Sequence, residues 1–298
     1  MTSRSLSDVT GRLDATFEVD RFPADSPFSW LVPSVYQDAG IPPADFFEAG
    51  FLSRFNGLML RGSDRVRRIV TAVFPNQEIV DQLVAEGLSE TLLVLHHPLF
   101  METSDRGFLP LPRPQLKALR AVGISMYAVH TPLDVHPALS TRHAWARALQ
   151  LEDLESCCEV DSGFTGLIGN LPDQLSFSQL QARVSAISGV KDLNSIEGPS
   201  ARRVAILPGG HHPSNCLEAQ QRGCDAVVTG TYFNQVKNEI GAQYREDLES
   251  IRPELRVGLI ECSHYASEAL VMAEDLRVHC EETYSLETRF IPQEDPWR

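Results

Sequence analysis

RRIVTAVFPNQEIVDQLVAEGLSETLLVLHHPLF, residues 67–100, contains two apolar runs that flank a segment of helical periodicity. The two runs have the near-continuous hydrophobic character of strands that are buried on both faces. The segment between them repeats apolar residues at helical spacing and ends on Gly87, a residue type that favours helix termination. A strand–helix–strand unit of this kind predicts an α/β fold with parallel strands.

The same alternation continues toward the C-terminus and divides into two series. The first includes an apolar run at 124–134, and the second begins near Leu167 with apolar runs at 201–210, 224–230, 257–264 and 285–292. We therefore predict two α/β lobes with mixed, largely parallel sheets. The expected first lobe comprises residues 1–140 with 260–298, and the expected second lobe comprises residues 141–259.

Residues 22–50 interrupt this pattern near the N-terminus. Up to about Pro43 the segment is rich in proline, serine and aromatic residues, and it predicts an irregular arm. Its aromatic side chains are unfavourable in water, so we expect a neighbouring subunit to cover them.

The bulk composition limits the classes of partner. With 26 Lys and Arg against 40 Asp and Glu, the net charge is −14. This charge would repel a nucleic acid but is compatible with a small anionic substrate at a metal centre. Hydrophobic residues make up 43% of the chain, enough for a core that needs no metal to fold, so a metal site here would serve function.

The distribution of apolar residues and cysteines favours a cytoplasmic protein. Residues 1–17 lack the apolar segment of a signal peptide, and the six cysteines show no disulfide spacing. No apolar run approaches the ~20 residues that span a bilayer. We expect no membrane association.

Metal-capable side chains follow three of the predicted strands. They are His96 and His97 in LLVLHHPLF (92–100), His130, Asp134 and His136 in YAVHTPLDVH (127–136), and His264 and Glu268 in IECSHYASE (260–268). Ligands of open α/β sheets bind beyond the carboxyl ends of strands, so these segments are candidates for one shared site.

Each segment also has an ordinary structural explanation. His264 and Glu268 lie one helical turn apart, which suits chelation but also suits a helix start with a solvated glutamate. His96 and His97 alternate along a strand, so each serves a different metal of a pair, or one is a core histidine and the other is exposed.

The third segment leaves the same choice open. His130 is either a ligand or a partner behind the ligands, and Asp134 is either a ligand or the cap of the following helix. Together, three strand ends that carry imidazole and carboxylate favour a metal site over coincidence. Such ligands suit Zn, Fe, Mn or Co rather than Ca or Mg. Five ligands shared by two divalent ions leave positions for water, which indicates hydrolysis.

The sequence resembles the YbgI-like family, the NIF-three-like proteins also called GTP cyclohydrolase I type 2-like. The matching stretches are NGLMLRG (56–62), RIVTAVFPNQEIVDQLVAEG (68–87), HHPLF (96–100), HTPLDVHPAL (130–139), PGG (208–210), CDAVVTG (224–230) and SHYASE (263–268). The resemblance covers residues 50–292, and residues 22–50 have no clear counterpart.

The resemblance implies a dinuclear metal site in the cleft between two α/β lobes, often within a homohexamer built from dimers. The implied ligands of the two divalent ions are His96, His97, Asp134, His264 and Glu268. Glu268 would bridge both ions, and His130 would lie just behind the ligands.

Two positions depart from the family pattern. Thr229-Gly230-Thr231 stands where the family usually has Thr-Gly-Glu, so the acidic group is absent at Thr231. The glycine-rich turn continues as Gly209-Gly210-His211-His212. Its two imidazoles either face the site or are exposed loop histidines, and we favour the second interpretation.

The resemblance predicts a metal-dependent hydrolase that opens a purine ring, as GTP cyclohydrolase does, with a nucleotide as substrate. The first alternative is a metal-handling or regulatory protein without turnover, which the missing acid at Thr231 favours. The second is an interaction protein that uses the aromatic segment at 22–43, with the metal serving architecture. The sequence identifies no catalytic residue beyond the ligands.

Overall fold

The computed structural model describes residues 3–26, 28–105, 107–233, 237 and 239–297. Its strands, in chain order, are β1 (Arg4–Ser5), β2 (Gly57–Leu60), β3 (Arg65–Val66), β4 (Arg68–Ala72), β5 (Thr91–Leu95), β6 (Phe100–Met101), β7 (Phe108–Leu109), β8 (Ile124–Ala128), β9 (Glu152–Val160), β10 (Gly163–Leu175), β11 (Asn194–Ile196), β12 (Ala201–Gly210), β13 (Ala226–Thr231), β14 (Gly258–Glu261) and β15 (Glu287–Phe290).

The α-helices are α1 (Leu6–Thr16), α2 (Phe28–Asp38), α3 (Ala49–Arg54), α4 (Gln77–Ala85), α5 (Arg113–Val122), α6 (Thr131–Asp134), α7 (Thr141–Leu149), α8 (Phe177–Ser188), α9 (Ser214–Gln221), α10 (Glu239–Ile251), α11 (His264–Leu270) and α12 (Arg277–Tyr284). Short 3₁₀ turns lie at Val19–Arg21, Pro43–Asp45 and Arg252–Glu254, and a π-helical segment at Val271–Leu276. Within the described residues, no helix is both long and apolar enough to cross a membrane.

The chain folds into two compact units. Unit 1 comprises Met1–Met101, Phe108–His136 and Met272–Glu294, and unit 2 comprises Glu102–Gly107, Pro137–Val271 and Asp295–Arg298. Residues 272–294 lie in unit 1, which corresponds to the lobe predicted to contain residues 260–298, whereas residues 260–271 and 295–298 lie in unit 2. The reason is that β14 pairs in parallel with β13, which holds β14 and the helix after it in unit 2.

The main sheet of unit 1 has the strand order β15-β4-β5-β8-β2. β15, β4, β5 and β8 run parallel, and the edge strand β2 runs antiparallel to β8. β5 and β8 are in register, with Leu95 opposite Ala128 at their last residues. The residues that follow these two strands therefore emerge side by side at one edge of the sheet.

Helices α4 and α5 cover one face of this sheet. Asn76 caps α4 by accepting a hydrogen bond from the amide three residues on, at 2.9 Å, and Gly123 ends α5 with a φ of +87°. Leu83 of α4 and Leu116 of α5 share a core with Leu93 of β5. Complete burial of such a leucine contributes about 1.5–3 kcal/mol.

Residues 22–50 do not form the irregular arm that we predicted. They include α2, a 3₁₀ turn and the start of α3. Tyr36, Phe46 and Phe47 are buried in the core of unit 1, whereas Trp30 is 50% exposed. This chain buries most of these aromatics itself, so among them a neighbouring subunit is not needed to cover Tyr36, Phe46 or Phe47.

The main sheet of unit 2 has the order β11-β14-β13-β12-β10-β9. β12, β13 and β14 are parallel, and the outer strands pair antiparallel. Val204 and Ile206 of β12 pack into one core, whereas Ala205 and Leu207 pack into another on the opposite face. The strand is therefore buried on both faces, as its continuous apolar run predicts. Both units confirm the predicted α/β class with mixed, partly parallel sheets.

Candidate metal centre

Three imidazole rings meet at the carboxyl ends of two neighbouring strands in unit 1. His96 and His97 follow β5, and His130 follows β8. One ring nitrogen from each residue lies within 4.8 Å of the other two. His96 and His97 are buried and His130 is half-buried. We call these three residues the histidine cluster.

The expectation that His96 and His97 face opposite sides of a strand does not hold. β5 ends at Leu95, so both residues lie beyond the strand and its alternation no longer applies. Their ring centroids are 4.5 Å apart. The alternative in which one of the two is exposed is also wrong, since their exposed fractions are 0% and 2%.

Hydrogen bonds to Nδ1 orient two rings of the histidine cluster. Nδ1 of His96 lies 3.0 Å from the carbonyl oxygen of Val129, and Nδ1 of His130 lies 3.2 Å from Oδ1 of Asp25. Both partner oxygens accept, so in each neutral ring Nδ1 donates the proton and the lone pair is on Nε2. A lone pair on Nε2 is what a metal ion requires.

Asp134 adds a carboxylate beside the histidine cluster. Its Oδ1 lies 3.5 Å from Nε2 of His96, and its Oδ2 lies 3.8 Å from Nε2 of His130. Asp134 does not cap the following helix, because the N-cap of α7 is Ser140. His136, which the same segment supplies, packs its ring edge against Phe17 instead.

Asp25 is a residue of this site that the sequence analysis missed. Its buried carboxylate accepts hydrogen bonds from Nδ1 of His130, from Nδ2 of Asn56 at 3.1 Å and from the amide of Thr131 at 3.1 Å. Burial alone would raise the pKa of Asp25, but the charge of His130 and these hydrogen bonds lower it to about 2. Burial would likewise lower the pKa of His130, and the nearby carboxylate of Asp25 raises it. The ring of His130 is therefore held by a carboxylate that stays ionised at neutral pH.

His264 and Glu268 form a pair of metal-capable side chains in unit 2. Helix α11 begins at His264, so the two side chains lie one turn apart on the same face. Nε2 of His264 is 3.0 Å from Oε1 of Glu268. Both side chains are buried, so the alternative of a solvated glutamate at a helix start is wrong.

The glycine-rich turn at the end of β12 lies against this pair. Gly209 has a φ of +67°, and a β-carbon built there would lie 2.7 Å from Oε1 of Glu268. A β-carbon on Gly210 would lie 3.6 Å from Cε1 of His264. Glycine at position 209 therefore provides both the positive φ and the close approach to the carboxylate.

Thr231 and His211 lie beside the same turn. The hydroxyl of Thr231 donates to the carbonyl of Gly209 at 3.3 Å. His211 is buried, so our interpretation of it as an exposed loop residue is wrong. Burial lowers its pKa to about 4, which keeps it neutral at pH 7. His212 is exposed, as expected, and its Nε2 lies 3.0 Å from Asp247.

Residues near the C-terminus support the start of α11. The indole ring of Trp297 stacks on His264 with centroids 5.3 Å apart and an interplanar angle of 17°. The hydroxyl of Ser263 donates to Oδ2 of Asp295 at 2.6 Å. These contacts restrict the imidazole of His264.

Comparison with known proteins assigns the chain to a family. The family model described as Duf34/NIF3 (NGG1p interacting factor 3) matches residues 53–296. The chain belongs to the Duf34/NIF3 family. It is 30% identical over 182 residues to the GTP cyclohydrolase 1 type 2 homolog of Haemophilus influenzae, which covers 60% of this chain and 71% of the relative. The homolog of Pyrococcus horikoshii is 27% identical over 240 residues, with 79% and 88% covered.

Solved structures agree on the fold of this Duf34/NIF3 chain. Protein YbgI, of unknown function, superposes with a TM-score of 0.70 at 22% identity and covers 98% of this chain and 100% of its own. TTHA1606 of Thermus thermophilus superposes with a TM-score of 0.67 at 23% identity, covering 98% and 99%. The resemblance noted in the sequence is confirmed at the level of family and fold.

The donor set of this Duf34/NIF3 chain fits a metal ion. The imidazole nitrogens of the histidine cluster converge, and the orientation of two rings leaves a lone pair on Nε2. Imidazole and carboxylate donors without thiolate are typical of catalytic rather than closed structural zinc sites. The family match begins at residue 53, so Asp25 lies outside the segment that carries the family pattern.

Proposed function

We propose that this Duf34/NIF3 protein is a metal-dependent hydrolase that binds two divalent ions and acts on a nucleotide in the cytoplasm. The proposed ligands are His96, His97, Asp134, His264 and Glu268, with His130, whose ring nitrogen converges with those of His96 and His97, as a further candidate ligand. The proposed ions are Zn, Fe, Mn or Co. One observation carries the proposal, namely the convergence of three imidazole nitrogens beside the carboxylate of Asp134. This combination of donors suits transition metals.

The chemistry of the protein groups is consistent with hydrolysis. A bound metal pair would lower the pKa of water and polarise a substrate oxygen. His96 and His97 are buried, so bulk water is excluded from their side chains. The charge of a bound ion would therefore be less screened there than at an exposed site. The carboxylates of Asp134 and Glu268 lie beside imidazole Nε2 atoms, where they would balance the charge of divalent cations.

The reaction class is proposed from the family. The relatives are called GTP cyclohydrolase 1 type 2 homologs, which supports hydrolytic opening of a purine ring. Neutral His211, buried in unit 2, is a candidate hydrogen-bonding group for such a substrate.

Metal analysis combined with a product assay tests the proposal. The purified protein is expected to carry two equivalents of transition metal per chain and to release formate from GTP. Glu268→Gln is expected to weaken metal binding by more than the roughly 10–100-fold that loss of an outer partner costs. Glu274→Gln changes an exposed glutamate of the following helical segment and is the matched control, expected to keep full metal content.

The possible results separate the two candidate functions. A protein that holds no transition metal, or a Glu268→Gln variant with unchanged metal affinity, contradicts the metal site. Two bound metals without any formate from GTP instead favour a metal-handling protein. The observation behind that second candidate is that position 231 carries a hydroxyl, bound to the carbonyl of Gly209, where the family usually has a carboxylate. Transfer of bound metal to an apo-acceptor would then support it.

A further inference from the structure

Two side chains from the segment before residue 53, where the family match begins, contact the histidine cluster. Asp25 binds Nδ1 of His130 through its carboxylate. Phe28, at the start of α2, packs edge-on against His130 with ring centroids 4.7 Å apart, and against His97 at 5.7 Å. Residues outside the segment that matches the family therefore limit the orientations of the His97 and His130 rings.

The carboxylate of Asp25 is itself held in place. Asn56 donates to Oδ2 of Asp25 through Nδ2, and its Oδ1 accepts the backbone amide of His130 at 2.7 Å. The amide of Thr131 donates to the same Oδ2. One buried amide side chain thus connects the carboxylate with the backbone of the histidine that the carboxylate contacts. These hydrogen bonds fix the position of the Asp25 carboxylate relative to Nδ1 of His130.

We propose that Asp25 is a positioning residue of the metal centre, which keeps the proton of His130 on Nδ1 and turns its Nε2 toward Asp134. The reason is that a carboxylate accepts hydrogen bonds and donates none when ionised, so it selects the tautomer with the proton on the facing nitrogen. Carboxylates behind metal-site histidines act in this way, and their loss lowers metal affinity by roughly 10–100-fold. The inference rests on the proposed function for its effect on metal affinity, whereas the effect on the tautomer of His130 can be measured without metal.

A purely structural role for Asp25 makes a different prediction. Its hydrogen bonds with Asn56 and Thr131 could simply fasten the segment before α2 to the loop after β8. In that case an asparagine of the same shape would preserve the tautomer of His130 and the metal affinity as long as the protein folds. A positioning role requires both quantities to change.

The test compares Asp25→Asn with Asp38→Asn. Asp38 is an exposed residue at the last position of α2, so the control makes the same charge change in the same segment. Long-range proton–nitrogen NMR of the metal-free protein, recorded at a pH where the ring of His130 is neutral, reports which nitrogen is protonated. Competition with a chelator gives the zinc dissociation constant. We expect a proton on Nδ1 in the wild type and in Asp38→Asn. For Asp25→Asn we expect a mixed tautomer and a zinc dissociation constant raised roughly 10–100-fold.

Each outcome decides the point. An unchanged tautomer and unchanged zinc affinity in Asp25→Asn overturn the positioning role and leave the proposed function intact. A wild type that binds no zinc contradicts the proposed function, while the tautomer comparison still decides the role of Asp25. If Asp25→Asn does not fold, the wild-type spectrum suffices, because a proton on Nε2 of His130 refutes the inference and one on Nδ1 supports it.

Discussion

Gly209 combines a φ of +67° with a backbone position directly beside the carboxylate of Glu268. Replacing it by alanine has two separable effects. Left-handed backbone costs a non-glycine residue roughly 1–2 kcal/mol. In addition, the new methyl group would lie 2.7 Å from Oε1 of Glu268, and the flexible carboxylate would move away. We therefore expect Gly209→Ala to lose metal affinity as well as stability.

Gly189 provides the control for this prediction. It ends α8 with a φ of +72°, and a β-carbon there would meet no atom within 4 Å. Gly189→Ala should therefore show a similar loss of unfolding free energy in urea but keep its metal, as measured by elemental analysis. Equal metal content in the two variants would show that the close approach of Gly209 to Glu268 has no functional consequence.

At the level of elements, α11 begins on an unusual N-cap. Ser263 has φ +124° and ψ 155°, a conformation that is essentially restricted to glycine and costs other residues of order 1–3 kcal/mol. Its hydroxyl offsets part of this by accepting from the amide of Ala266 at 2.9 Å and donating to Asp295. The strain therefore lies immediately before His264, the first residue of the helix.

Substitutions at Ser263 should separate the strain from the cap. Ser263→Ala loses the cap, worth about 0.5–2 kcal/mol, and keeps the strain. Ser263→Gly loses the cap but relieves the strain, so we expect it to be the more stable variant by roughly 1 kcal/mol or more in urea unfolding. Ser176 caps α8 with an ordinary φ of −63°, so glycine there gains only its advantage over alanine as a cap, since serine to glycine costs a few tenths of a kcal/mol and serine to alanine about 0.5–2 kcal/mol. The difference between the glycine and alanine variants should therefore be smaller at Ser176 than at Ser263. A Ser263→Gly variant no more stable than Ser263→Ala would disprove the strain.

The elements that the sequence predicts are those with a strong local signal. The apolar runs of β4, β5, β8 and β12–β14 were predicted, as were helices such as α4 and α5. The hairpin of β9 and β10 was not, because EDLESCCEV (152–160) contains no apolar run. Helix α2 was missed because proline and serine content outweighed the helical spacing of Phe28, Leu31 and Val32.

Some residues of the candidate site could likewise be inferred from the sequence, whereas Asp25 could not. His96, His97 and His130 follow apolar runs, so their position at one sheet edge could be inferred from parallel pairing. The contact between Asp25 and His130 joins residues 105 positions apart, and no local pattern predicts such a pairing. It depends on the packing of α2 into the core of unit 1, which is a tertiary effect.

At the scale of the whole molecule, each sheet has an edge, and the edge formed by β9 is long. β9 extends from Glu152 to Val160 and pairs with β10 on its inner side. Leu154 and Val160 on this strand are 46% and 44% exposed, and Phe164 on β10 is 38% exposed. Long edge strands with exposed apolar residues favour pairing with another chain. The family resemblance implies a homo-oligomer, often a hexamer, and we propose that such an assembly would use this edge.

The prediction is that lysines on this edge reduce the assembly to smaller species. Leu154→Lys combined with Val160→Lys replaces two exposed apolar side chains by charged ones, and lysines on an edge strand oppose pairing with another chain. Light scattering after size exclusion is expected to show a lower mass for this variant than for the wild type. Trp30→Lys, which changes a 50% exposed residue on α2, is the control and should keep the wild-type mass. A monomeric wild type would contradict the proposed oligomer. An unchanged mass in the double variant would show that the oligomer interface lies on another surface.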